Sequence, residues 1–96
     1  MSPTNKKKLD LIRIKLDKLD TELLKLIKKR SDLVNEVLKV KIHKKEIIDQ
    51  KRINFILKKI KKKSVQLKID PMITNRIWKN MIWAFINYEK KNFKKK

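Results

Sequence analysis

Arg30 is the first residue of this sequence whose position asks for chemistry. An apolar repeat runs through Leu9, Ile12, Leu16, Leu19, Leu23, Leu26, Leu33, Val37 and Val40, and Arg30 falls in its line. A guanidinium in such a seam is costly unless an anion opposes it. That anion is either a carboxylate of a neighbouring helix or a carboxylate of a ligand, which Arg grips through two parallel donors. Lys41 follows eleven residues later, nearly a whole number of helical turns, so the two cations share a face roughly 16 Å apart. A small anion between two long side chains reaching toward each other is compatible with that spacing. Arg13 is about 25 Å from Arg30 along the same helix and rotated by roughly a quarter turn. One helix cannot bring both to one small molecule, but a second copy of the chain can. The other reading of Arg13 is an exposed partner of Asp10 or Asp17.

Further along, Asp49 and Arg52 are three apart, a spacing that places them on one face of a helix. Glu89 follows Phe85 by four residues and ends an apolar stripe. A carboxylate held against an apolar wall is pushed toward its neutral form and can then donate a hydrogen bond. The alternative is a solvated Glu beside Lys90 and Lys91. His43 has no companions at metal-ligand spacing, so no metal is expected. The sequence has no Cys and no Gly, which excludes disulfides, thiolate metal sites and a Gly-rich phosphate loop. No His-Asp-Ser set is visible. The chemistry on offer is that of fixed charges, with no cofactor.

The elements that must position these groups are helices. With no Gly and only two Pro, the 96-residue chain lacks the residues that sheets and tight turns use. The first helix is expected from near Lys7 to about Ile42, capped by Thr4 or Asn5. At roughly 50 Å it is long against a globule of this size, whose radius of gyration is about 12–13 Å. Its seam needs a cover, and a second copy is the simplest one. His43–Lys45 reads as a connection and Glu46 to Ser64 as the second helix. Val65 to Ile69 reads as a loop or frayed end. Asp70 and Pro71 mark the start of the third helix, which runs to about Asn92. Its dominant stripe is Ile73, Ile77, Met81, Ala84, Phe85 and Tyr88, widened by Trp78, Ile82 and Trp83. The expected architecture is therefore all-α, three helices with a long first one. The whole of residues 1–96 reads as one domain, with a basic tail from about residue 90 that is either disordered or an extension of the helix.

Apolar and charged residues each make up 41% of the chain, and the net charge is +19. That excess suits nucleic acid, acidic lipid or a small anion. Compositional drift toward Lys, Ile and Asn produces the same bias, which makes the few Arg more informative than the many Lys. No apolar run reaches the roughly 18 residues that span a membrane. The first residues show no apolar signal segment, so the expected location is the cytoplasm.

These residues carry a resemblance. The segments Leu9-Asp10-Leu11-Ile12-Arg13, Leu16 through Leu24, Ile27-Lys28-Lys29-Arg30, Val37 through Lys41, Asp49-Gln50-Lys51-Arg52 and Ile77 through Ile82 resemble the all-helical chorismate mutases. The likeness covers about residues 9 to 89. It implies conversion of chorismate to prephenate on the route to phenylalanine and tyrosine, in an intertwined helical homodimer whose long first helices cross between subunits and which has two equivalent sites. Arg13, donated by the other chain, would bind one substrate carboxylate and Arg30 the second. Lys41 would donate to the ether oxygen whose bond breaks. Asp49 would meet the ring hydroxyl, Arg52 would line the same side, and Glu89 would also address the ether oxygen. Two positions depart from the family pattern. Ile53 stands where the family usually has a Glu that holds the substrate hydroxyl, leaving Asp49 to carry that contact with some loss of activity. Phe85 stands where relatives often have a small or hydroxylated residue, and it narrows the pocket.

Three rival functions differ in class. A small basic nucleic-acid-binding helical protein fits the charge, although Arg30 in a packing seam and the lack of a recognition-helix motif speak against it. A coiled-coil adaptor fits the long seam. A low-activity relative with a regulatory partner fits Ile53.

Overall fold

The computed structural model describes residues 2–94. Its elements are α1 (Pro3–Val40), a 3-10 turn at Lys44–Glu46, α2 (Gln50–Gln66) and α3 (Pro71–Asn92). The three-helix, all-α reading with a long first helix is therefore correct. The chain divides into two compact units, Met1–Leu33 and Val34–Lys96.

The first unit is the larger part of α1. The helix begins earlier than its periodicity suggests, because Ser2 caps it in place of Thr4 or Asn5: Asn5 N donates to Ser2 Oγ at 3.2 Å. Pro3 takes the first helical position, where its missing N–H is no loss. None of the residues of α1 is buried in one chain. Leu19 is 59% exposed, and Ile12, Leu16, Leu23, Leu26 and Leu33 are similar. A seam this regular and this wet in a single chain is an unpartnered surface.

The second unit holds the core. Ile47, Ile53, Ile82 and Ile86 form its buried cluster, flanked by Ile56, Leu57 and Phe93. The second helix starts at Gln50 and not at Glu46, because Glu46 closes the 3-10 turn: its carboxylate accepts from His43 N at 3.1 Å. Asp49 then caps α2. Two helical residues follow Ser64, and the expected loop is a closed helix end. Lys68 takes a left-handed conformation, φ 59°. Its N–H reaches Val65 O at 3.1 Å, and Ile69 N reaches Ser64 O at 2.9 Å. This is a Schellman closure, made with Lys because the chain has no Gly.

Asp70 and Pro71 open α3 as expected, with Asp70 Oδ1 accepting from Met72 N at 2.9 Å. The face of α3 that turns inward differs from the expected stripe. Thr74, Ile82, Ile86 and Glu89 are buried, and Trp78, Met81 and Phe85 are half-buried. Ile73, Ile77, Ala84 and Tyr88 stay exposed, about a third of a turn away. A polar clasp sets this rotation: Ser64 Oγ and Thr74 Oγ1 lie 2.7 Å apart in the buried contact between α2 and α3. Two hydroxyls that satisfy each other out of water are expensive to separate. At the far end, Lys90–Asn92 continue the helix; Lys95 and Lys96 lie outside the described residues.

Candidate active site

Lys41 stands immediately after α1, where the chain leaves the helix and enters the 3-10 turn. Glu89 stands in the last turns of α3, on the same face as Ile82 and Ile86. The second unit brings them together: Lys41 Nζ donates to Glu89 Oε1 at 3.2 Å. Glu89 is 6% exposed, so the solvated alternative for this residue is set aside. Glu89 shares the buried face of α3 with Ile82 and Ile86, and Lys41 supplies the compensating charge that a buried carboxylate needs. One residue earlier, Tyr88 Oη donates to Asn35 Oδ1 at 2.8 Å and ties α3 to the last turns of α1.

Lys41 also lines an open groove of about 440 Å³ with Glu46, Ile48, Asp49, Gln50 and Lys51. That volume lies in the range of small-ligand sites. An ammonium has three donors, so the bond to Glu89 leaves others for a ligand.

The Asp49–Arg52 relationship differs from two neighbours on a helix face. Asp49 lies outside α2 as its cap, with Oδ1 accepting from Arg52 N at 3.0 Å. The Arg52 guanidinium lies over the Phe55 ring, 5.3 Å from its centroid. Ile53 is 7% exposed within the core cluster, and Phe85 is half-buried. Arg13 and Arg30 belong to the first unit. Arg30 is half-buried; Arg13 is exposed. Among the described residues Arg13 makes no ion pair with Asp10 or Asp17.

Sequence reasoning misses four groove residues, Glu46, Ile48, Gln50 and Lys51. Glu46 reads there as a helix start, although its place three residues after His43 is the spacing of a capping contact. Ile48 reads as part of the apolar face of the same helix, with no signal for a groove. Among the described residues no cluster of His, Cys, Asp or Glu could hold a metal ion. Among the same residues, no helix is long and apolar enough to cross a membrane.

The chorismate mutase type II family matches this chain over residues 12–90. The chain belongs to that family. Searches of curated proteins and of solved structures find no match. As a chorismate mutase it is an isomerase of the shikimate pathway, acting on chorismate. The matched span takes in Arg13, Arg30, Lys41, Asp49, Arg52 and Glu89. The mutase reaction is an intramolecular rearrangement, and it needs neither a nucleophile nor a redox group.

Proposed function

We propose that the protein rearranges chorismate to prephenate as a homodimer, each site taking Arg13 from one copy and Arg30, Lys41, Asp49, Arg52 and Glu89 from the other. The observation that carries this reading is the sheltered Lys41–Glu89 pair, with side chains 16% and 8% exposed, whose lysine also lines a ligand-sized groove. The exposed seam of α1 and the exposed Ile73–Ile77–Ala84–Tyr88 line of α3 support the dimer. Apolar surface on that scale is what a second copy covers.

In this mechanism the two Arg pin the two substrate carboxylates and hold the flexible side chain over the ring. That converts a rare conformer into the resident one. The ether C–O bond then lengthens while the new C–C bond forms, and negative charge grows on the ether oxygen. Lys41 donates to that oxygen, and Glu89 donates to it when protonated. Preorganised donors aimed at developing charge are the main electrostatic lever available to such a site. Asp49 takes the ring hydroxyl, and Arg52 lines the same side. The protein acts in the cytoplasm as one catalytic domain serving aromatic amino-acid synthesis.

Loss of chorismate absorbance on adding purified protein tests the activity, with Arg30→Ala as the inactive control. Co-refolding Arg13→Ala with Arg30→Ala tests the shared site. Each variant alone is inactive, while the mixed dimer has one intact site, so about a quarter of wild-type turnover returns. A monomer in solution, or no recovery on mixing, overturns the shared site. A second reading, a low-activity relative served by a regulatory partner, is favoured by Ile53, an apolar core residue where the family usually carries Glu.

A further inference from the structure

The Lys excess is organised on α2. This helix carries seven basic residues and no acidic one. Ile53, Ile56, Leu57, Ile60 and Ser64 form its buried or half-buried side. Lys51, Lys58, Lys59 and Lys62 lie on the outer side, about half a turn away. All four are exposed, and among the described residues none is in an ion pair. Phe55 sits in the middle of this row, 54% exposed. Two cations hold its ring: the Arg52 guanidinium at 5.3 Å and Lys59 Nζ at 5.8 Å from the centroid.

We propose that the outer face of α2 binds a single-stranded nucleic acid, its lysines meeting phosphates and Phe55 stacking on one base. Compositional drift accounts for the number of lysines. It does not account for an exposed aromatic ring set among them and held in place by two of the cations. A row of cations with an interleaved aromatic is the usual platform for a single strand, because every base has a face to stack. An acidic membrane is the poorer fit. A helix that lies on lipid buries its apolar face there, and this one has its apolar face packed on α3. Duplex binding uses the phosphates alone and leaves Phe55 without a role.

The test is fluorescence anisotropy of the full chain with labelled oligo(U) and oligo(dT), against duplex DNA, inorganic polyphosphate and phosphatidylserine vesicles. The expected result is preference for the single strands, with affinity falling steeply as salt rises, by a slope of about −0.7 per phosphate contacted. The triple variant Lys58→Gln, Lys59→Gln, Lys62→Gln lowers that slope by about 2 and keeps chorismate turnover, since these lysines lie outside the proposed active site. Phe55→Ala weakens oligonucleotide binding at least about five-fold and leaves polyphosphate binding nearly unchanged. Phe55→Leu, which keeps apolar bulk, shows the same loss, and circular dichroism confirms the helices in both Phe55 variants. Unchanged binding by the triple variant overturns the proposal. So does equal loss on polyphosphate and oligonucleotide for Phe55→Ala, or preference for duplex or vesicles.

Discussion

Lys41 Nζ lies 3.2 Å from Glu89 Oε1, joining residues 48 positions apart in the sequence. The pair lies within the second unit, and its lysine lines the groove that holds Asp49. One contact therefore serves both folding and the proposed chemistry, and the two roles have to be separated by experiment.

On the proposed mechanism, Lys41→Ala removes the donor to the ether oxygen. Turnover is expected to drop by about 10²–10³-fold, the usual loss for one such donor. Because the substitution also strands a buried carboxylate, stability falls as well. Adding Glu89→Gln to Lys41→Ala removes the stranded charge, so the melting temperature recovers while turnover stays low. Near wild-type turnover in Lys41→Ala refutes the assignment.

On the proposed mechanism Glu89→Ala removes both the partner of Lys41 and any hydrogen bond from this side chain to the ether oxygen, so turnover should fall, whereas Glu89→Gln keeps a polar side chain with an N–H donor and should retain more of it. Wild-type turnover in Glu89→Ala removes Glu89 from the site.

Ile53→Glu has two opposed effects. The side chain lies in the Ile47–Ile82–Ile86 cluster, so a carboxylate there loses apolar packing and is desolvated. Thermal stability should fall. In the folded fraction the new carboxylate should add a contact to the substrate hydroxyl, which the proposed mechanism otherwise leaves to Asp49, and kcat/KM should rise. A folded variant with unchanged kcat/KM shows that Ile53 does not limit this site.

Lys68→Gly should stabilise the protein. A non-glycine residue in the left-handed region costs about 1–2 kcal/mol, part of which glycine returns through its freer unfolded chain. The net gain of about 0.5–1 kcal/mol raises Tm by about 2–6 °C for a chain of this size. A lower Tm in Lys68→Gly means that the Lys68 side chain contributes more than its backbone conformation costs.

Local rules make much of this protein legible in its amino-acid sequence. The 3–4 spacing of Leu and Ile marks α1, Asp70-Pro71 marks the start of α3, and the order of Arg13, Arg30, Lys41 and Asp49 carries the family. Those features are readable because periodicity and capping act within a few residues of one another. Tertiary structure decided what depends on residues distant in sequence. It buried Ile53 against α3. It also selected Thr74, Ile82, Ile86 and Glu89 as the inward face of α3. Two apolar faces on one helix are equivalent to a periodicity argument, and only the partner helix, through the Ser64–Thr74 clasp, breaks the tie. The meeting of Lys41 with Glu89 is of the same kind, since a buried charge finds its counter-ion by packing and not by spacing.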